Sequence, residues 1–159
     1  MEQTMKMKSR KDSFTSTVHV LNPANLNGYS RLFGGQLMSW MDMAAAVTAR
    51  RHSERNVTTA SVENLEFRAP AHGNDTLVIE GFVCYVGRTS MDVCVQAFVE
   101  ELNGERNLVN RAHFIMVALD ENERPVPVPG LLVKTPEEKA EWEEAGQRKA
   151  RRSAGKKEN

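Results

Sequence analysis

The alternation of apolar and polar positions predicts one long helix near the start of the chain and an antiparallel sheet after it. Residues 36–52 contain strong helix formers without glycine or proline and end in cationic side chains, which suits the helix dipole. This segment is apolar on almost every side between Leu37 and Ala49, so we expect it to be buried on most sides. Five further segments have the β-branched content or the alternation typical of strands: 14–20, 57–69, 76–86, 90–102 and 108–119.

Short turns join the last three of these strands. The turns at 87–89 and 103–106 predict that neighbouring strands pair as an antiparallel meander. Alternate prolines from 125 to 129 cannot donate to a ladder, so the sheet should end before them. A second helix should begin at Pro136, because Thr135 can cap it and Glu138 stands three residues after the cap.

Together these elements predict a single domain of the α+β class. A length of 159 residues is typical of one domain, and an apolar helix needs an apolar sheet face to cover it. We set the boundaries at 1–12 for a flexible N-terminus, 13–135 for the domain, 136–150 for a C-terminal helix and 151–159 for a basic flexible tail. One helix covers only part of such a sheet, so we expect the chain to self-associate.

The charge balance argues against two classes of partner. Lys and Arg together number 21, as do Asp and Glu, so strong attraction to nucleic acid or to an anionic membrane is not expected. No apolar run approaches the roughly 20 residues that a membrane span requires. The first residues are polar and basic with no apolar core behind them, unlike a secretory signal, so we expect a cytoplasmic protein.

The cysteines and histidines give no sign of a metal centre. Cys84 and Cys94 lie in predicted strands without CxxC spacing, which favours buried free thiols over a disulfide or a metal site. The four histidines are scattered and lack the spacing of metal ligands. We therefore expect neither a metal nor a prosthetic group.

Asp42 is the most informative residue, because it stands in the middle of the apolar helix. An unpaired carboxylate buried there would cost several kcal/mol. One interpretation is a residue at the boundary of the core, or a hydrogen-bonded carboxylate that fixes helix packing. The other is a catalytic carboxylate that acts as a nucleophile or as a base for water.

Gly34 and Gly35 open the same helix and form a second candidate feature. Without side chains they would let a ligand approach the free N–H groups of the first turn, which could stabilise an oxyanion. A tight turn is the simpler interpretation of the pair. Asp42 follows Gly35 by seven residues, about 10 Å along a helix, whereas a nucleophile must come within about 3 to 3.5 Å of its carbonyl. The two features would therefore serve one carbonyl more easily if two subunits paired.

Several stretches of the sequence, in matching order over about residues 14–148, resemble the hotdog-fold acyl-CoA thioesterases. The resemblance is to the branch that includes bacterial YciA-type enzymes and mammalian cytosolic acyl-CoA thioesterases. The stretches that carry it are NGYSRLFGGQLM at 27–38 with Met41-Asp42, then 51–52, 56–62, 86–91, 117–121 and the alternating prolines at 125–129.

The resemblance implies a long central helix wrapped by a curved antiparallel sheet, in homodimers that commonly assemble as trimers of dimers. Asp42 matches the catalytic acid of the family, and Asn27 matches the asparagine that acts with it across the subunit boundary. One departure is Ser30, where the family often has glycine, so a shifted loop would bring Asn25 into the place of Asn27. The other matched positions are Gly34 and Gly35 as oxyanion-hole amides, and Phe33, Arg88, Thr89 and Ser90 as contacts for coenzyme A or the acyl group.

We therefore predict an enzyme that hydrolyses acyl-CoA to coenzyme A and a carboxylic acid. The alternative is a non-catalytic acyl-CoA-binding or regulatory protein on the same fold, which an apolar residue at position 42 would have favoured. A hotdog dehydratase is disfavoured because no histidine lies near the Gly34-Gly35 helix start.

Overall fold

The computed structural model describes residues 5–157 and has a five-stranded sheet with a long helix on each face. The strands lie in the order β2-β4-β5-β6-β3, so β2 and β3 form the two edges. In chain order the elements are β1 (Lys8–Ser9), α1 (Arg10–Ser13), β2 (Thr15–Val20), a 3-10 turn (Pro23–Asn25), α2 (Gly34–Ser53), β3 (Asn56–Phe67), β4 (Thr76–Val86), β5 (Ser90–Glu100), β6 (Arg106–Leu119), β7 (Leu131–Leu132) and α3 (Pro136–Lys157).

The predicted α+β class and the antiparallel meander are confirmed. β4 pairs with β5 and β5 with β6, both antiparallel, while β3 joins the free side of β6 and β2 joins β4. The register of β3 shifts twice, between Thr59 and Ser61 and between Glu63 and Glu66. These irregularities lie on an edge strand, where bulges are common.

The core lies between α2 and the inner face of the sheet. Leu37, Met41 and Ala45 of α2 are buried against alternate strand residues such as Val93 and Phe114. The opposite face of α2 is open in the single chain, where Met43 is 61% and Val47 is 37% exposed. The prediction that this helix is buried on most sides is confirmed, because between Leu37 and Ala49 only the single stripe of Ser39, Met43 and Val47 is exposed.

The C-terminal helix differs from its predicted bounds, since α3 continues through Lys157 rather than ending at 150. Two ion pairs tie its second half to the outer face of the sheet. Arg148 lies 2.9 Å from Asp92 and Arg152 lies 2.6 Å from Glu63. The last part of the predicted tail, 158–159, lies outside the described residues.

The N-terminal segment also carries more structure than the predicted flexible stretch at 1–12. β1 pairs in parallel with β7, and α1 follows it directly. Arg10 lies over the Phe82 ring at 4.1 Å and pairs with Glu141 of α3, so this segment joins the sheet to the C-terminal helix. Residues 1–4 lie outside the described residues.

None of the helices within residues 5–157 combines the length and the apolar character that crossing a membrane requires.

Candidate active site

The loop before α2 is folded around two asparagines. The Asn27 side-chain oxygen accepts hydrogen bonds from the backbone N–H groups of Tyr29 at 2.9 Å and Arg31 at 3.3 Å. The Asn25 side chain instead closes the 3-10 turn by accepting from the Asn22 N–H at 3.0 Å. Its backbone oxygen accepts from the Phe33 N–H at 2.8 Å, which fixes the loop to the start of the helix.

Ser30 occupies a backbone conformation that favours glycine. Its φ angle is 58°, in the left-handed region, and its N–H donates to the Asn27 carbonyl at 3.0 Å. A glycine would be unstrained in this conformation, and the serine at this position adopts the same conformation.

A cavity of about 310 Å³ lies beside the start of α2. Asn27 lines this cavity, together with Leu37 of α2 and Phe67 of β3. Asn25 is not among the residues that line it. The position of Asn27 therefore favours it over Asn25 as the polar group presented to a ligand.

Of the two glycines, Gly35 has no room for a side chain without movement of Phe33, whereas Gly34 has room for a Cβ atom. A Cβ atom added at Gly35 would lie 2.6 Å from Phe33 Cε1, and one at Gly34 would lie 3.6 Å from Phe67 Cζ. Phe33 and Phe67 are more than half exposed and stand on either side of the helix start. The first N–H groups of an α-helix have no acceptor within the helix, so those of Gly34 and Gly35 are candidate donors to a ligand.

Asp42 lies at the boundary of the core, where α2 faces the edge strand β3. Its side chain is half-buried, and its Oδ1 accepts a 2.7 Å hydrogen bond from Thr59 Oγ1. This boundary position with a hydrogen bond is compatible with both interpretations, a structural carboxylate and a catalytic one. In the single chain the Asn27 cavity is lined by neither Asp42 nor the two glycines.

Thr59 has no place among the candidate residues found from the sequence. It lies within the stretch at 56–62 that carries the resemblance, but a hydroxyl on a strand gives no periodic signal. Only the packing of β3 beside α2 brings it to Asp42.

The β4–β5 turn carries Arg88, Thr89 and Ser90. Ser90 pairs with Val117 of β6, and Val117 pairs with Thr58 of β3. Two strand spacings of about 4.8 Å therefore separate Ser90 from the residue next to Thr59. The turn and the Asp42–Thr59 pair lie toward the same end of the sheet, and Arg88 is exposed there.

A second polar cluster lies under α3, on the outer face of the sheet. Asp92 is 2% exposed and contacts His113 Nδ1 at 2.8 Å and Arg148 Nη2 at 2.9 Å. Burial alone would raise the pKa of Asp92, but the hydrogen bonds and charges of His113 and Arg148 hold it below the usual value. Cys84 Sγ lies 3.4 Å from Asp92 Oδ1.

The side chains of Cys84, Asp92 and His113 are close enough to hold a metal ion. The Arg148 guanidinium already supplies the positive charge at Asp92, and burial raises the pKa of the Cys84 thiol well above its ordinary value. This cluster therefore fits an anchor for α3 better than a cation site. Cys84 and Cys94 are both buried free thiols, as predicted.

Residues 29–104 match the family model described as "Thioesterase superfamily". The uncharacterized acyl-CoA thioester hydrolase YkhA of Bacillus subtilis (strain 168) is 41% identical over 117 residues, which cover 73% of this chain and 68% of that protein. This chain belongs to the hotdog-fold acyl-CoA thioesterases. The cytosolic acyl coenzyme A thioester hydrolase of Rattus norvegicus is 29% identical over 135 residues, covering 83% of this thioesterase chain but 35% of that longer protein.

Solved acyl-CoA thioesterases share the whole fold. A structure described as an apo-hexameric acyl-CoA thioesterase superposes with a TM-score of 0.90 at 36% identity, over 94% of this chain and 97% of that one. The acyl-CoA hydrolase of Staphylococcus aureus, in complex with butyryl coenzyme A and coenzyme A, superposes with a TM-score of 0.89 at 34% identity, over 96% and 93%. That hydrolase has also been solved with an asparagine, a threonine or an aspartate replaced by alanine.

Proposed function

We propose that this thioesterase hydrolyses acyl-CoA to coenzyme A and a carboxylic acid, with Asp42 as the catalytic carboxylate. The Thr59–Asp42 hydrogen bond carries the proposal, because it fixes the orientation of a half-buried carboxylate through one oxygen and leaves the second oxygen to act on a ligand. Asparagine, threonine and aspartate, the residue types replaced in the Staphylococcus aureus enzyme, are those of Asn27, Thr59 and Asp42.

The proposed reaction uses Asp42 as a general base. The Thr59 hydroxyl donates a hydrogen bond to Oδ1 of Asp42. The Oδ2 atom therefore accepts a proton from water as that water attacks the thioester carbonyl carbon. The carbonyl oxygen, which gains negative charge, accepts hydrogen bonds from the N–H groups of Gly34 and Gly35. The C–S bond then breaks, and coenzyme A leaves as the thiolate and takes up the proton. Asn27 orients the water through its amide group.

The site is complete only between two subunits in this proposal. Asp42 and the glycines lie along one helix, about 10 Å apart, so one subunit supplies the carboxylate and its partner supplies the amides and Asn27. The surfaces that a second copy would cover are apolar and exposed: Met43 and Val47 on α2, with Val62, Leu65 and Phe67 on β3. We propose a homodimer built on these surfaces, and a hexamer of three dimers by analogy with the hexameric relative.

The β4–β5 turn, with Arg88, Thr89 and Ser90, is the proposed contact for coenzyme A. Arg88 is exposed at the tip, where a guanidinium can bind phosphate. Phe33, on the exposed side of the helix start, is the proposed contact for the acyl group next to the thioester. A cytoplasmic location stays a prediction, as does the expectation of no cofactor, metal or nucleic-acid partner.

Release of free thiol from a series of acyl-CoA esters, from short to long, tests the proposal. Wild type should hydrolyse at least one ester, and Asp42→Asn should lower kcat/KM at least about 100-fold, the loss expected for a general base. Glu143→Gln, which removes an exposed helical carboxylate on α3, is the matched control and should keep wild-type activity. No release from any ester, with acyl-CoA still raising the Tm, would identify a binding protein instead.

A further inference from the structure

The ammonium group of Lys149 in α3 packs against the β4–β5 turn. A methyl group added at Gly87 would overlap the Lys149 ammonium, would lie 3.4 Å from Lys149 Cε and would lie 2.8 Å from Ser90 Oγ. The lysine head and the Ser90 hydroxyl therefore converge on a residue with no Cβ. A side chain at position 87 would push the ammonium away from the turn.

Lys149 has no carboxylate partner among residues 5–157, unlike the two arginines of α3 that pair with acids of the sheet. Arg148 is paired with Asp92, and Arg152 is paired with Glu63. Lys149 is half-buried, and its Nζ lies 5.7 Å from the centre of the Tyr85 ring. A cation held near a ring and hydroxyl groups, without a counter-charge, has its full charge available to an anion.

The position of this cation is fixed by the anchor under α3. Arg148 precedes Lys149 directly and is bonded to the buried Asp92, so the helix cannot rotate or slide without breaking that pair. The tilted contact between Tyr85 and Trp142, with ring centres 4.3 Å apart, holds α3 to β4 on the same side. The ammonium is therefore placed at the turn before any ligand arrives.

We propose that Lys149 binds the phosphate groups of coenzyme A, so that α3 forms part of the substrate site. Arg88 at the tip of the turn and Lys149 behind it present two cations, and the hydroxyls of Thr89 and Ser90 lie in the same turn. Phosphate oxygens accept hydrogen bonds from all of these groups, and Lys acts toward them as a point charge. This inference rests on the proposed function and adds a residue from outside the turn.

Two substrates separate phosphate binding from every other role of Lys149. An acyl-CoA carries the phosphates, whereas the matching S-acyl-N-acetylcysteamine has the same thioester without them. For Lys149→Met we expect kcat/KM for acyl-CoA to fall about 10- to 100-fold through KM, the range for a lost charge-assisted hydrogen bond. The rate with the truncated thioester should not change, and Lys149→Arg should restore most of the acyl-CoA activity.

Lys139→Met is the matched control, since Lys139 is an exposed lysine of α3 on its first turns. It should leave both substrates unaffected. Equal losses for the two substrates with Lys149→Met, or no loss for either, would overturn the proposal, and the first of these would assign Lys149 a structural role. If Lys149→Met does not fold, Lys149→Gln, which removes the charge but keeps a polar head group, gives the same comparison of the two substrates and must lower kcat/KM for acyl-CoA alone. Failure of wild type to hydrolyse either thioester would instead overturn the proposed function.

Discussion

The Thr59 hydroxyl donates a 2.7 Å hydrogen bond to the Asp42 carboxylate across the gap between β3 and α2. The same hydroxyl oxygen lies 3.5 Å from Met116 Sδ of β6, so the threonine stands between a polar group and the edge of the core. This contact fixes one carboxylate oxygen, and the other has no hydrogen-bond partner among residues 5–157. Thr59 therefore sets the direction in which Asp42 can accept a proton.

Replacing the threonine tests this orienting role. Thr59→Val keeps the shape but removes the donor, and we expect kcat to fall about 10- to 100-fold, as for loss of a hydrogen bond to a charged group. KM should stay near the wild-type value, because Thr59 holds the base rather than the substrate. Thr59→Ser retains the hydroxyl and serves as the control; a fall as large as that of valine would contradict the role of the hydrogen bond.

Mixing two inactive variants tests whether the site crosses the subunit boundary. In a dimer of Asp42→Asn with Asn27→Ala, one site carries both changes and the other carries neither. Random reassociation of equal amounts should therefore restore about one quarter of the wild-type activity, since a two-fold dimer has two equivalent sites. The measurement is thiol release after the two proteins are unfolded and refolded together. Activity that stays at the level of the separate variants would place Asp42 and Asn27 of one subunit in the same site.

The sheet could be predicted from the sequence because its strands alternate regularly and its turns are short. The inner residues Met91, Val93 and Val95 follow a period of two, and the prolines after residue 124 mark the end of β6. The end of α3 could not be predicted in this way. The helix continues because Arg148 and Arg152 form ion pairs with Asp92 and Glu63, which lie on strands distant in sequence. A basic run by itself is typical of a solvated tail.

Some residues of the candidate site can likewise be found from the sequence, and others cannot. Asp42 and the glycine pair stand out in the sequence because a charge in an apolar helix and two adjacent glycines before it are locally unusual. Thr59 and Lys149 do not, since threonines on strands and lysines on helices are ordinary. Their positions become informative only when the fold brings them to Asp42 and to Gly87.

The anchor under α3 should contribute strongly to stability. Arg148→Met would leave the Asp92 carboxylate, 2% exposed, without its guanidinium partner, and we expect a loss of about 3 to 5 kcal/mol in the free energy of unfolding. The double variant Asp92→Asn with Arg148→Met removes both charges and should recover part of that loss. Urea denaturation of the two single variants and the double variant measures the coupling. Additive losses would show that the two side chains do not interact.

The buried side chain of His52 should make the free energy of unfolding depend on pH. It is fully buried, and its Nε2 donates to the Pro129 carbonyl at 2.8 Å. Burial lowers the pKa of His52 below the ordinary 6.5, and the nearby Lys8 lowers it further, although the Pro129 carbonyl and Asp12 oppose this. Below about pH 6.5 the unfolded chain therefore binds a proton that the folded chain does not, so stability falls as the pH falls toward the depressed folded-state pKa.

Unfolding in urea between pH 8 and pH 5 measures this dependence for wild type and His52→Gln. The wild-type free energy of unfolding should be level with respect to His52 above about pH 6.5 and should then fall by at most about 1.4 kcal/mol per pH unit. The variant should lack this component and keep the slope from His19, whose pKa burial also lowers. Because the folded chain keeps both histidines neutral to a lower pH than the unfolded chain does, a wild-type stability that rises as the pH is lowered from about 6.5 to 5 would contradict the buried, neutral state of His52.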